Sequence, residues 1–402
     1  MKPLKEFYDV MAHSARVRRK MVMSYLDTGK VGEDDFAELH SILATLEGLE
    51  ERNGRKVLSL DGEGSVELDL GYEIGELEKD LFFFRNGERA FHDYLRKLHA
   101  GFDEEVDRCV SFLEGKRFHN FVTDRDGTIN NYCGRYRSSI QSAYNAIFLS
   151  RFIRSCTDHS TVVTSAPLRD TGVVDVSVMP PNTFIYAASK AREFIDEQGK
   201  RRTFPIDQEQ QELLDELNRQ LKEMLSHHYY EKFALVGSGL QLKFGETTVA
   251  RQDINKTISP EESKKFLDKV RKMVDELDPE GRVFWVDDTG LDIEIIVNIA
   301  PMGTNEGKEF DKSDGLRFLN QEIGLRLDQG HTLVCGDTGS DIRLVEACHR
   351  EGDDVWSVFV TKDDELSQRV QKHSDRFNKV SGPDMLVMAL NILADKGDRN
   401  GS

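Results

Sequence analysis

The chain has 402 residues, enough for two or three domains with a sizeable buried core, and a formal net charge of -18. So acidic a surface excludes nucleic acid and an anionic membrane as partners, because either would need a strong basic patch and the sequence carries none. The five cysteines, Cys109, Cys133, Cys156, Cys335 and Cys348, lack C-x-x-C spacing and exclude a disulfide framework or a structural zinc site.

Residues 1–115 predict a mostly helical accessory region, with helices near 34–43 and over 87–113 and a glycine-turned hairpin over 56–68 between them. No chemical motif falls here, so a scaffold or oligomerisation role is the expectation. The cluster Arg16, Arg18, Arg19 and Lys20 reads as a solvated helix face. No charged-then-apolar leader is expected, and no run approaches the ~18 apolar residues that would cross a bilayer, so a cytoplasmic protein is expected.

From about 116 the rhythm changes to strand, loop, helix, the pattern of a doubly wound α/β domain. The apolar run Phe118–Thr123 stops at Asp124-Arg125-Asp126-Gly127-Thr128. Period-two geometry aims Asp124 and Asp126 to the same side, where one carboxylate can act as nucleophile or metal ligand while the other carries a proton. A D-x-D-G stretch is also a common turn or the start of a calcium loop. A helix over 138–155 and a strand over 161–164 follow, ending in the hydroxyls of Thr164 and Ser165.

The next core signal is Lys312, at a helix start, too far away for one crossover. An inserted lid over 196–300 accounts for the gap. It shows a helix with Leu214, Leu217 and Leu221, a turn-linked strand pair around Gly245-Glu246, a helix opened by the capping box of Ser259 and Glu262, and strands over 283–286 and 292–299. The core then resumes over 301–402, where a strand from His331 runs into Gly336-Asp337 with Asp341 four residues on. Gly127 and Gly336 suit sharp turns. Ligands of open α/β sheets bind beyond the carboxyl ends of the strands, so all these groups share one crevice.

Acid pair, hydroxyl, lysine, acid pair, in that order, resembles the motif series of the haloacid dehalogenase superfamily. The resemblance implies a doubly wound (Rossmann-like) core over 116–195 and 301–402 with an inserted α+β cap of the C2 type. It also implies a phosphatase in which Asp124 attacks phosphorus and Asp126 protonates the departing alkoxide and later activates water. Mg²⁺ is the implied cofactor, held by Asp124, Asp337 and a backbone carbonyl of Asp126 with Asp341 as a candidate fourth ligand, while Lys312 and Thr164 hold the phosphoryl oxygens.

Over 118–390 the chain is similar to sugar-phosphate phosphatases acting on trehalose 6-phosphate and its relatives. Gly239 to Lys243 resembles a cap strand bearing a glutamate and a lysine, and Val297 to Pro301 a Glu-Ile-Arg-Pro strand, with Gln241 and Asn298 in place of acids and Ala300 in place of an arginine. An extra loop, 302–311, precedes the lysine. The segments 130–136, 164–168, 174–178 and 188–193 resemble the glucosylglycerol-phosphate phosphatases, which implies a compatible-solute enzyme partnered by the synthase that makes its phosphorylated substrate. Ser165, Arg135, Lys190, Arg192, Gln241, Lys243 and Asn298 are then the expected substrate contacts. Trehalose 6-phosphate or sucrose 6-phosphate is the alternative substrate, and a non-catalytic binding protein on the same fold is the alternative class.

Overall fold

Five of the six residues of Phe118–Thr123 are buried, as a strand covered on both faces requires. In the computed structural model, which describes residues 2–60, 64–298 and 310–400, this strand lies inside an eight-stranded sheet. The order runs Phe377–Val380, Val355–Val360, His331–Gly336, Phe118–Thr123, Thr157–Val163, Ile185–Ala188, Glu193–Ile195, Arg201–Thr203. The first six are parallel, Glu193–Ile195 pairs antiparallel with the sixth, and Arg201–Thr203 pairs antiparallel with Glu193–Ile195. From Phe118–Thr123 the chain builds outward on one side and returns at His331–Gly336 on the other. The order therefore reverses between the two strands that end in Asp124 and Asp337, which opens a crevice there.

Alternation along the strands divides the core. Phe121, Val162 and Leu333 pack with helices Ala143–Cys156 and Pro383–Asn400, while Val122, Val163 and Val334 pack with Lys312–Ile323 and Ile342–Glu351. This is a doubly wound α/β core with helices on both faces. The expected core boundary at 195 falls inside the sheet, because Arg201–Thr203 extends its edge; the lid starts with helix Gln208–Leu225.

The lid is a four-stranded antiparallel sheet, ordered Leu240–Lys243, Glu246–Ala250, Asp292–Val297, Phe284–Asp288. Helices Gln208–Leu225 and Pro260–Leu277 carry its apolar stripes, the second capped by Ser259, whose side chain accepts from the Glu262 N–H. Ile299, where the strand expected over 292–299 would end, Ala300 and most of the 302–311 loop lie outside the described residues.

The N-terminal helices are Leu4–Thr28, Glu33–Glu47, Gly71–Leu98 and Phe102–Leu113, and they lie against the Ala143–Cys156 and Pro383–Asn400 side of the core. The single helix expected over 87–113 is two. Gly87, at φ 78° and ψ 173°, breaks the first, and Gly101, at φ 71°, sits in the left-handed conformation that starts the second. The cluster of Arg16, Arg18, Arg19 and Lys20 is a solvated face only in part, at exposed Arg16 and Lys20. Arg18 is fully buried and paired with Asp80 at 2.7 Å, and Arg19 donates to the Ser177 carbonyl at 2.6 Å. These helices reach the lid as well, through a Lys5–Glu231 ion pair and a hydrogen bond from Tyr8 Oη to the Leu235 carbonyl at 2.5 Å. All five cysteines are free and buried. No helix among the described residues is long and apolar enough to cross a membrane.

Candidate active site

Strand geometry delivers Asp124 to the crevice, where its N–H is held by the Cys335 carbonyl of the neighbouring strand at 3.0 Å. The turn that follows depends on Gly127, at φ 89°. A Cβ at this position would stand 2.1 Å from Asp337 Oδ2, so only glycine lets the two acidic strand ends approach. Gly336 serves by close approach alone, since its Cβ would meet that of Asp341 at 2.3 Å. Lys312 is the first residue of its helix, behind an Asp311 cap that accepts from the Asp314 N–H while Asp314 accepts from that of Asp311. From there Lys312 Nζ donates to Asp124 Oδ1 and to Asp341 Oδ1, both at 2.6 Å.

A strained turn fixes the lysine helix to the hydroxyl loop. Ser189, Lys190 and Ala191 are all left-handed, at φ 52°, 59° and 66°, which costs non-glycine residues about 1–2 kcal/mol each. The turn bonds the Thr164 and Ala166 carbonyls through the Lys190 and Ser189 N–H groups, both at 2.8 Å. On its other side Lys190 O sits 1.9 Å from where a Cβ on Gly315 would be, so glycine there admits the turn. Thr164 and Ser165 thereby line the crevice opposite Lys312.

Asp124, Asp337 and Asp341 offer oxygens within 4.8 Å of one another. Burial and the neighbouring carboxylates push Asp124 up to about 7 and Asp337 up to about 8. Burial works against ionisation of Asp341 too, but Lys312 and the Thr338 donors outweigh it and hold that carboxyl below its usual range. Burial would likewise discharge Lys312, and Asp124 and Asp341 overcome it, keeping the ammonium charged. Hard oxygen donors that repel one another when ionised fit a divalent cation such as Mg²⁺. Asp341 spends Oδ1 on Lys312 and Oδ2 on the Asp337 N–H, the Thr338 N–H and the Thr338 hydroxyl. It anchors the lysine as much as it could hold an ion.

Above the acids lies a cavity of 290 Å³ between core and lid. Of the expected substrate contacts, Ser165, Arg135, Gln241 and Lys243 are on its wall, as are Asp124, Asp126, Thr164 and Lys312. Lys190, Arg192 and Asn298 are not. Arg192 is buried, donates to the Gly245 and Val297 carbonyls and lies over the Phe310 ring, so it fastens the lid hairpin to the core. Lys190 faces Glu246 at 3.4 Å, and Asn298 donates to the Arg282 carbonyl within the lid. Lys243 also pairs with buried Glu246 at 2.5 Å; burial opposes that carboxylate, but Lys243 and Lys190 hold it down to about 2.

The sequence reading missed Asp292, Glu294 and Thr248 on the lid wall. Alternation in Asp292-Ile293-Glu294-Ile295 was the available signal, with Ile293 and Ile295 buried against the lid helices and the acids turned to the cavity. It also missed Arg125, buried beneath the acid pair.

Residues 121–386 match the family profile described as trehalose-6-phosphate phosphatase, C-terminal, and residues 3–101 that of the trehalose-6-phosphate phosphatase N-terminal helical bundle domain. Among curated relatives, alpha,alpha-trehalose-phosphate synthase [UDP-forming] 2 of Aphelenchoides avenae is 31% identical across 96% of this chain, which spans 31% of that protein's length. Trehalose-phosphatase of Caenorhabditis briggsae is 28% identical, with 95% of each chain covered. Among solved structures, the trehalose-6-phosphate phosphatase of Aspergillus fumigatus aligns with 72% of this chain and 98% of its own at 15% identity and a TM-score of 0.40.

Proposed function

The chain belongs to the trehalose-6-phosphate phosphatase family, and from that premise we propose that it hydrolyses trehalose 6-phosphate to trehalose and inorganic phosphate. The observation that carries this reading is Lys312 bridging Asp124 and Asp341 at the floor of a cavity roofed by polar lid residues. Asp124 attacks phosphorus, and the electron pair of the breaking P–O bond stays on the sugar oxygen, which takes a proton from Asp126. Water, deprotonated by Asp126, then hydrolyses the aspartyl-phosphate. Lys312, Thr164 and Ser165 hold the phosphoryl oxygens in place, the ammonium as a fixed charge. Asp124 and Asp337, with Asp341 beside them, would hold Mg²⁺, which would supply positive charge against the phosphate dianion.

The glucosylglycerol ester expected from the sequence is the second reading. Its ground was the resemblance of the segments 130–136, 164–168, 174–178 and 188–193, with the loss of acids at Gln241 and Asn298 counting against trehalose, and the cavity wall holds acids elsewhere, at Asp292 and Glu294. These restore hydrogen-bond acceptors for a second glucose, and the names of the relatives favour trehalose. A synthase making the phosphorylated precursor remains the functional partner in either reading.

The experiment is phosphate release by the purified protein with Mg²⁺ from trehalose 6-phosphate, sucrose 6-phosphate and glucosylglycerol phosphate. The highest kcat/KM is expected for trehalose 6-phosphate. Preference for the glucosylglycerol ester establishes the second reading, and no release from any ester returns the chain to the class of binding proteins.

A further inference from the structure

Arg125 stands between the two aspartates and is 3% exposed. A buried guanidinium must be satisfied on several sides, and this one is. Nη1 donates to Asp126 Oδ1 and to Ser139 Oγ at 3.1 Å, Nη2 donates to the Ser139 carbonyl at 2.5 Å, and the group lies 5.9 Å from the centre of the Tyr136 ring. Ser139, also buried, donates a hydrogen bond from its hydroxyl to Asp126 Oδ1 at 2.8 Å. One oxygen of Asp126 therefore receives two fixed donors. Among the described residues no donor reaches Oδ2, and Asp126 is on the cavity wall.

A general acid has to present one oxygen to the leaving atom in a narrow range of distance and angle, and a carboxyl free to rotate about its last bond spends much of its time misaligned. We propose that Arg125 and Ser139 are positioning residues that lock the carboxyl plane of Asp126 through Oδ1 and so dedicate Oδ2 to proton transfer with the leaving oxygen. Arg125 lies off the cavity wall, and Ser139, which is on it, has its hydroxyl committed to Asp126 Oδ1. The inference rests on the reading of Asp126 as the acid.

Leaving-group chemistry separates positioning from mere support. A sugar alkoxide must be protonated as the P–O bond breaks, whereas p-nitrophenolate departs without a proton. kcat/KM reports only the steps up to the aspartyl-phosphate, so later use of Asp126 as a base does not enter. Ser139→Ala, Arg125→Met and Asp126→Asn are compared with wild type on trehalose 6-phosphate and p-nitrophenyl phosphate, with circular dichroism as the folding check. The expected result for Ser139→Ala and Arg125→Met is a loss of ~10-fold or more on the sugar ester and under ~3-fold on the aryl ester, the same pattern as Asp126→Asn at smaller amplitude. Should Arg125→Met fail to fold, Ser139→Ala decides alone. Equal losses on both esters, or none, overturn the positioning role. If wild type cleaves only another alkyl phosphate, the substrate reading falls and the comparison is made on that ester. A wild type inactive on every ester overturns both.

Discussion

Glu73 and Arg135 meet across the boundary between the N-terminal helices and the core, where the buried carboxylate accepts from Arg135 Nη2 at 2.8 and 3.0 Å on its two oxygens. The same carboxylate accepts from Ser138 Oγ at 2.6 Å. Ser138 adjoins Ser139, which bonds the carboxylate of Asp126, and Arg135 is on the cavity wall. A helix some fifty residues upstream of the catalytic strand thus anchors the loop on which the acid depends.

Glu73→Gln is therefore expected to act twice. It leaves the Arg135 charge buried with a neutral partner, and breaking a buried pair from one side costs about 3–5 kcal/mol. Urea unfolding should show that loss, and kcat/KM for the sugar ester should fall in the folded variant. An unchanged unfolding midpoint would show that the pair does not hold the loop.

The groups legible in the sequence are those whose position is set locally. Asp124, Asp337 and Thr164 each end an apolar strand, and Lys312 opens a capped helix, so an interrupted pattern marks each one. Arg192 and Asn298 are set by something else. Arg192 reaches a backbone carbonyl because the lid hairpin at Gly245 docks on the core, a contact between residues more than fifty apart, and Asn298 bonds the Arg282 carbonyl within the lid. Arg125 was missed and Arg18 misread for a related reason. An arginine in a polar stretch reads as solvated, and only the Tyr136 ring and Ser139 in one case and Asp80 in the other make burial tolerable.

Asp124→Asn should abolish turnover while leaving the fold intact, because the amide keeps the shape but cannot attack phosphorus. A fall of about 10³-fold or more in kcat is expected, in line with losses of nucleophiles elsewhere. Phosphate release together with far-ultraviolet circular dichroism checks this. Near-normal turnover by the folded variant would move the nucleophile away from Asp124.

Asp337→Ala should weaken Mg²⁺ binding and activity together, since the cluster then keeps only Asp124 and a largely committed Asp341. Calorimetric titration with Mg²⁺ reads the first effect without reference to turnover. Full wild-type activity in excess EDTA would rule out the metal.

Asp384 sets an acid limit on stability. It accepts from Tyr144 Oη at 2.7 Å and Asn131 Nδ2 at 2.8 Å, and pairs with Lys79 at 2.8 Å and His99 at 2.7 Å. Burial opposes its ionisation, but Lys79, His99 and Tyr144 outweigh burial and hold the carboxyl well below the usual range. A depressed carboxyl contributes stability that is complete above its unfolded value of about 3.9 and is lost as pH falls toward the folded one. The free energy of unfolding in urea should therefore drop more steeply between about pH 4 and pH 2 in wild type than in Asp384→Asn. Parallel slopes would show that another group controls the acid limb.

The lid should choose the sugar while the core does the chemistry, and Glu294 is the cleanest place to ask. Lys243 also faces the cavity, but its loss would strand buried Glu246, so a Lys243→Ala phenotype would mix recognition with lid stability. Glu294 lies on the cavity side of strand Asp292–Val297, and burial holds its carboxyl above the usual range. A site built to bond a sugar hydroxyl loses heavily when the partner is mismatched, whereas p-nitrophenyl phosphate presents no hydroxyl to that wall. Glu294→Ala should lower kcat/KM for trehalose 6-phosphate by about 10-fold or more and leave the aryl ester within about 3-fold, the cost of one lost hydrogen bond to a charged group being about 1.5–3 kcal/mol. Equal effects on the two esters, measured side by side, would show that this strand does not read the sugar.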